Sequence, residues 1–190
     1  MTRGATHRAP AVLLLALAAA CARGRPDDPA LLALARALHP GDRLILARVL
    51  DPDVGDRVAA VVRPGGGKPE LRIYERRGNG DALVHTVQRG ELFHNLALED
   101  VTGDGQDEIL STWTGGHLEI LEVTARAADG TYATLFQNAG QEIERRYGPG
   151  GAVEFWITSR TYEEKAGQPP SYDTTVYRWD GKAFSEIKKR

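Results

Sequence analysis

Residues 98–110 read Leu-Glu-Asp-Val-Thr-Gly-Asp-Gly-Gln-Asp-Glu-Ile-Leu, an acidic, glycine-containing loop set between two apolar segments. The flanking segments, Leu96-Ala97-Leu98 and Ile109-Leu110, have the short apolar character of β-strands. An EF-hand would need a helix on each side and a bidentate glutamate at position 12, where this chain has Ser111. The stretch therefore predicts a loop that joins two strands, and with it a β-rich fold.

The same pattern extends in both directions from this loop. From Leu44 onward, short alternating or apolar runs are separated by Gly, Asp, Asn and Pro, which is typical of antiparallel strands. The sequence predicts an all-β fold with strands at Leu44–Val49, Val58–Val62, Glu70–Glu75, Ala82–Val87, Leu92–Leu98, Glu108–Trp113, His117–Ala125, Tyr132–Gln137, Glu142–Tyr147, Val153–Ser159, Thr174–Trp179 and Ala183–Ile187.

These strands fall into three repeated units, about 44–90, 91–138 and 139–190. Each unit contains one hairpin signal, and the glycines of the three signals, Gly80, Gly130 and Gly181, are 50 and 51 residues apart. Four strands per unit at this period are typical of propeller blades, although about 4 to 8 blades are needed to close a ring. We expect a propeller-like, incomplete ring of three blade-like units; a different all-β fold with an incidental repeat stays open.

The loop also carries the clearest chemistry of the chain. Oxygen donors stand at loop positions 1, 3, 5 and 9, the carbonyl of position 7 can face the same centre, and Gly105 permits a sharp turn. Calcium prefers about 6 to 8 oxygen ligands, so this spacing predicts one calcium site. The alternative is an Asp/Gly turn whose carboxylates are solvated or bound to the backbone. The candidate ligands are Asp100, Thr102, Asp104, the Gln106 carbonyl and Glu108.

Residues 98–110 resemble the FG-GAP or VCBS type of propeller repeat, the integrin-alpha-like family. That resemblance implies calcium bound in a loop between two strands, through the ligands just named. The segment from Val176 to Phe184 resembles the last hairpin of small secreted members of the group. Residues 50–58 keep an acidic character but lack glycine at the turn, and we interpret them as a degenerate loop without metal.

The first residues predict export. Residues 1–20 combine a basic start, an apolar run and small residues at Ala18-Ala19-Ala20, as in a signal peptide. Cys21, the single cysteine of the chain, follows directly and is the expected lipidation site of a bacterial lipoprotein. Ordinary secretion after cleavage at Ala20 is the alternative. Residues 21–28 then form a polar tether, and a short helix is expected from Pro29 to about Leu38, at the start of a single β domain over 29–190.

Composition narrows the function. A net charge of -2 and a pI near 6.2 give no basic surface, so nucleic acid is not an expected partner. We found no catalytic motif and expect a non-enzymatic binding or scaffolding module, lipid-anchored at the cell envelope and stabilised by calcium. Its partner is an unidentified protein or glycan, and an oligomer is allowed. The alternatives are a carbohydrate-active hydrolase with two acidic residues, or an accessory subunit that completes a partner's propeller.

Overall fold

A computed structural model describes residue 38 and residues 41–50, 56–77, 80–161 and 169–189. Within these ranges the chain forms twelve strands: β1 (Arg43–Val49), β2 (Arg57–Arg63), β3 (Glu70–Arg77), β4 (Gly80–Val87), β5 (Leu92–Glu99), β6 (Glu108–Gly115), β7 (Leu118–Arg126), β8 (Tyr132–Gly140), β9 (Glu142–Tyr147), β10 (Val153–Arg160), β11 (Tyr172–Trp179) and β12 (Phe184–Lys189).

The strands form three antiparallel four-stranded sheets, with consecutive strands always paired. Sheet 1 contains β1 to β4, sheet 2 contains β5 to β8, and sheet 3 contains β9 to β12. The described residues hold one short 3-10 turn, Pro149–Gly151, and no helix long and apolar enough to cross a membrane. The prediction of an all-β fold is confirmed, whereas Cys21 and most of the helix expected over 29–38 lie outside the described residues.

The three sheets repeat one another in detail. Each sheet has a register irregularity where its third strand pairs with its fourth, at Ile73/Tyr74, Val123/Thr124 and Val176/Tyr177. The third-to-fourth turns of sheets 2 and 3 are also alike, because Gly130 has φ +86° and Gly181 has φ +96°. A positive φ at one position of a tight turn favours glycine. The repeat is therefore present in backbone geometry as well as in spacing.

Sheet 2 lies between the other two sheets and is buried on both faces. Along β6, Ile109 and Trp113 pack with Leu71 and Ile73 of sheet 1. Leu110, which follows Ile109 on β6, belongs to a second core that includes Phe155 of sheet 3. Successive residues of a strand point to opposite faces, so an unbroken apolar run such as Ile109-Leu110 supplies both cores.

An aromatic cluster packs between sheets 2 and 3. Phe136 of β8 stacks on Phe155 of β10 with ring centroids 5.5 Å apart, and it lies 5.1 Å from Phe184 of β12. Such pairs add about 0.5–1.5 kcal/mol beyond the area they bury. On the outer face of sheet 1, Leu38 packs against Val58, Ala60, Val62 and Tyr74.

Because every sheet is an antiparallel meander, its first-to-second and third-to-fourth turns lie at the same end. Residues from these turns in all three sheets surround one cleft, so the turns share one end of the molecule, which we call the loop end. The chain enters β1 at Arg43 and completes β12 at Lys189, and both positions lie at the opposite end.

Candidate functional site

The loop that joins β5 to β6 is organised around Asp100. One oxygen of its carboxylate, Oδ1, accepts hydrogen bonds from the amides of Gly103 (2.7 Å) and Asp104 (3.2 Å), and Oδ2 accepts one from Gly105 (2.8 Å). Gly103 and Gly105 have φ of +80° and +85°, which turn these amides towards the carboxylate. The predicted sharp turn at Gly105 is confirmed, and Asp100 holds the loop closed.

Glu108 binds the backbone of the loop from its buried side. Its side chain is buried, and Oε2 accepts hydrogen bonds from the amides of Val101 (2.9 Å) and Thr102 (3.3 Å). The hydroxyl of Thr102 lies 3.3 Å from the other oxygen, Oε1. Burial raises the pKa of Glu108, the two amides oppose this, and the negative charges of Asp104 and Asp100 raise the pKa further. Asp104 and Asp100 are therefore close enough for their charges to act on the Glu108 carboxylate.

The remaining predicted ligands lie on the exposed side of the loop. Asp104 Oδ1 accepts a hydrogen bond from the amide of Gln106 at 2.8 Å. Asp104 and Gln106 both line the cleft at the loop end. The structure thus joins Thr102 to Glu108 through hydrogen bonds, whereas Asp100 is bonded to the amides of Gly103, Asp104 and Gly105 in the same loop.

The fit of this loop to calcium rests on its donor chemistry. In the described part of the chain, no group of three or more His, Cys, Asp or Glu side chains is clustered tightly enough to hold a metal ion as it stands. The carboxylates are instead bound to backbone amides, which is the alternative that the sequence left open. An ionised carboxylate has about four lone-pair sites, however, so Asp100 and Asp104 keep acceptor capacity beyond the bonds they make.

The cleft beside this loop has a volume of about 650 Å³, and residues of all three sheets line it. Sheet 1 contributes Arg57 to its lining and sheet 3 contributes Trp179. The lining from sheet 2 includes Thr124 of β7 and Tyr132 of β8. Burial raises the pKa of the Tyr132 phenol, and the neighbouring Arg57 guanidinium opposes that shift.

A buried ion pair lies deeper between sheets 1 and 2. Glu122 of β7 is fully buried and accepts hydrogen bonds from Arg89 at both carboxylate oxygens, with Arg89 Nη2 3.2 Å from Oε1. The Thr134 hydroxyl donates to Oε1 as well, at 2.7 Å. Sequence reasoning missed this cluster; the available signal was a glutamate inside the apolar run Leu121-Glu122-Val123.

His85 of β4 also lies at the interface of sheets 1 and 2. Its imidazole lies 5.9 Å from the Tyr132 ring between centroids. Burial lowers the pKa of His85, while the charge of Glu122 raises it and that of Arg89 lowers it. Burial thus favours the neutral imidazole of His85 at the interface of the two sheets.

Comparison with known proteins adds no relative. No family model matches the chain, and neither a curated protein nor a solved structure matches it.

Proposed function

We propose that this chain is a non-enzymatic binding or scaffolding module of the cell envelope, stabilised by one calcium ion in the loop from Asp100 to Glu108. The observation that carries the proposal is that Asp100, Asp104 and Glu108 belong to one short loop, in which the charges of both aspartates act on the buried Glu108 carboxylate. Burial is the main cause of the raised pKa of Glu108, and the charges of Asp104 and Asp100 add to it; a cation in the loop would relieve that added repulsion.

The proposed ligands differ in what they contribute. Asp100 and Glu108 already fix the loop backbone, so they would bind the ion with little further ordering. Asp104 is exposed, and among the described residues its carboxylate accepts one hydrogen bond, from the Gln106 amide, so it is the ligand most open to solvent. Removing the charge of Asp104 should therefore weaken calcium binding without opening the loop.

The test is the substitution Asp104→Asn with and without calcium. The asparagine keeps an oxygen that can accept from the Gln106 amide, so the calcium-free protein should melt at the wild-type temperature. For the wild-type chain, calcium at about 100 times its Kd should add about 2.7 kcal/mol to the free energy of unfolding. We expect Asp104→Asn to lose most of that gain, measured by thermal melting in EDTA, in calcium and in magnesium.

Asp129→Asn is the matched control. Asp129 Oδ1 accepts from the Thr131 amide at 2.9 Å in the adjacent β7–β8 turn, outside the proposed site. This variant should keep the full calcium response. If calcium leaves the melting temperature of the wild-type chain unchanged, the loop is an Asp/Gly turn closed by its own hydrogen bonds, and the metal proposal fails.

The finer fold proposal is that the three sheets are blade-like units of an open propeller. It is supported by the meander order of each sheet, by the packing of sheet 2 between its neighbours and by the repeated register irregularities. The accessory-subunit alternative remains a prediction: it requires association through a sheet edge, which size-exclusion chromatography of the purified chain would detect.

The envelope location is supported by Cys21 following Ala18-Ala19-Ala20.

The hydrolase alternative requires two carboxyl groups facing each other across a cleft, about 5 to 10 Å apart. Among the described residues, the carboxylates that line the cleft, those of Asp104, Asp107 and Glu108, come from one loop. That arrangement favours a binding function for the cleft over hydrolysis.

A further inference from the structure

Three large apolar side chains are exposed on two edge strands, β1 and β5, at the end of the molecule opposite the loop end. Leu44 is 42%, Ile45 43% and Leu92 52% exposed. The two strands are joined by a hydrogen bond from Arg48 Nε to the Leu96 carbonyl, at 3.0 Å. Leu44 precedes Arg48 by four residues, and Leu92 precedes Leu96 by four. Because both strands run towards the loop end, Leu44 and Leu92 lie at a similar level on neighbouring strands.

A β-bulge accounts for the exposure of Ile45. The register of β1 with β2 shifts between Leu44 and Leu46, so Ile45 has no partner in the ladder. A bulge re-aims the side chain of the extra residue. Edge strands usually carry charged residues or proline at such places, because an exposed apolar edge invites association. Single exposed apolar residues are common, whereas a group of them marks an interaction surface. The bulged isoleucine thus indicates a surface with an apolar partner.

Two arginines beside these side chains carry charge that the described protein does not neutralise. Arg43 and Arg63 are exposed and directly opposite each other in the β1–β2 ladder, and like charges in that arrangement are destabilising. Within the part of the chain that the structure describes, neither guanidinium has an ion-pair or hydrogen-bond partner. The nearby acids are bound elsewhere, because Asp42 lies 2.6 Å and Glu70 3.0 Å from Arg72. The two guanidinium groups can therefore bind an anion outside the chain.

This combination of apolar and basic side chains fits the surface of an anionic bilayer. Elements that bind a membrane surface place apolar side chains at the acyl boundary and Lys or Arg near the lipid phosphates. The planar fork of arginine matches the geometry of phosphate. The loop end has the opposite character, because exposed aspartates stand in its turns, namely Asp104, Asp129 and Asp180. A negatively charged membrane would repel that end of the molecule and attract the other.

We infer that Arg43, Leu44, Ile45, Arg63 and Leu92, which we call the β1–β5 patch, form a contact surface for a bilayer of anionic phospholipid. The arginines bind lipid phosphates, and the three apolar side chains enter the interface between headgroups and acyl chains. The inference rests on the proposed envelope location and adds an orientation to it. The bilayer lies opposite the loop end, so the cleft stays open to solvent.

The test uses an environment-sensitive fluorophore on the full chain, in a Cys21→Ser background that leaves no other thiol and no lipidation site. One sample carries the label at Leu92→Cys in the patch, and a second carries it at Lys182→Cys in the exposed β11–β12 turn of the loop end. Each is mixed with vesicles of phosphatidylcholine, with and without phosphatidylglycerol. EDTA is present, so that calcium cannot bridge the acidic loop end to the lipid.

With phosphatidylglycerol, the label at position 92 should enter an apolar environment, and the label at position 182 should stay in water. Phosphatidylcholine alone should give a much weaker response, and added salt should weaken the response to phosphatidylglycerol, because both changes reduce the attraction of the arginines. The readout is local. Binding through residues 1–20 alone would leave both labels in water.

The variant Arg43→Gln/Arg63→Gln tests the charges of the patch. Each Lys or Arg at an anionic surface strengthens binding about fivefold, so the lipid concentration for half-maximal response should rise at least about tenfold. The variant also removes a pair of like charges, so its melting temperature should stay level or rise, which excludes unfolding. Arg77→Gln/Lys182→Gln is the matched control. It removes two exposed cations from the loop end and should leave the response at position 92 unchanged.

Four results contradict the inference. The label at position 92 could stay in water with every vesicle, or both labels could respond equally, which would mean that the bilayer has no preferred side. Arg43→Gln/Arg63→Gln could bind lipid as tightly as its parent. A response without vesicles that grows with protein concentration would assign the patch to a second copy of the chain.

The calcium response in thermal melting and the intact mass of the chain purified from membranes are recorded separately. Failure of the bilayer contact, with calcium stabilisation and lipidation intact, therefore leaves the proposed function standing.

Discussion

Asp180 in the β11–β12 turn shows how strongly one side chain can organise a hairpin. Its Oδ1 accepts from the amides of Lys182 and Ala183, both at 2.9 Å, and Oδ2 accepts from the Ser185 hydroxyl at 2.5 Å. The Ser185 hydroxyl, followed by the two amides, lowers the pKa of Asp180 to about 2. The ionised carboxylate is thus part of the turn.

We predict that Ser185→Ala raises the pKa of Asp180 from about 2 towards its ordinary value of 3.8. The measurement is an NMR titration of the Asp180 carboxyl carbon. The pKa of Asp129 is also lowered, by Thr131, and provides the control because it should not move. An unchanged Asp180 pKa would show that the amides alone hold the carboxylate.

The direction of the pH effect follows from the same bonds. Because the pKa of Asp180 is lower in the folded chain than in the unfolded chain, its contribution to stability is complete above about pH 4. That contribution is lost as the pH falls from 3.8 towards 2. In Ser185→Ala the folded-state pKa of Asp180 should lie closer to 3.8. The pH range over which this stability is lost should therefore be narrower, with its lower limit above pH 2.

Gly90 illustrates a residue fixed by close backbone approach. A Cβ at this buried position would lie 2.9 Å from Trp113 Cβ and closer still to the Thr114 carbonyl oxygen of the adjacent strand. We predict that Gly90→Ala lowers the free energy of unfolding by about 1–3 kcal/mol, measured by urea denaturation. Gly80→Ala, where a Cβ meets nothing within 4 Å, should change it by less than about 0.5 kcal/mol.

The sequence predicted the role of individual residues correctly where that role depends on local backbone conformation. Gly105, Gly130 and Gly181 were identifiable because a turn demands a backbone conformation that glycine adopts most easily. Glu122 and Thr124 were not identifiable. Their surroundings are formed by chain segments far away in sequence, such as Arg89, 33 residues from Glu122.

At the scale of elements, the Arg89–Glu122 pair ties the connection between β4 and β5 to the middle of β7. Glu122 is completely buried, whereas the Arg89 side chain is 31% exposed. We predict that Arg89→Met costs about 2 kcal/mol, below the range of about 3–5 for a fully buried pair. The cause is an unpaired carboxylate in the interior, and urea denaturation measures it.

The double variant Arg89→Met/Glu122→Met distinguishes charge from packing. It removes the unpaired charge and should recover more than half of the lost stability, as hydrophobic replacement of a buried pair often does. A double variant as unstable as the single one would attribute the loss to side-chain packing instead of to the charge.

The strands themselves were largely readable from the sequence. All twelve predicted strands are present, and the bounds of β9 agree completely. Several others extend further than predicted; β8, for example, continues beyond Gln137 to Gly140. The extension arises because pairing with β7 continues past the last strongly apolar residue, and that pairing is a tertiary contact.

At the scale of the whole molecule, the covalent state of Cys21 separates the two export predictions. We predict that the chain purified from bacterial membranes begins at Cys21 and carries a diacylglyceryl group on its sulfur. Intact-mass spectrometry measures this, with Cys21→Ser as a control that should not be lipidated. An unmodified mature chain released into the soluble fraction would instead establish plain secretion.

The order in which the sheets stack was not predictable from the strand pattern. Alternation and turn residues define each meander, but they do not state which sheet packs on which. That choice depends on side chains that meet across sheets, such as Phe136 with Phe155 and Arg48 with the Leu96 carbonyl at 3.0 Å. The cleft could not be foreseen either, because its lining comes from three sheets.

Both ends of the folded strands, Arg43 and Lys189, lie opposite the loop end. Strands of seven or eight residues such as β1 and β3 span about 25 Å, so a label or a resin coupled at Arg43 or at Lys189 would lie about that far from the cleft. Immobilised protein should therefore capture ligands as readily as protein in solution.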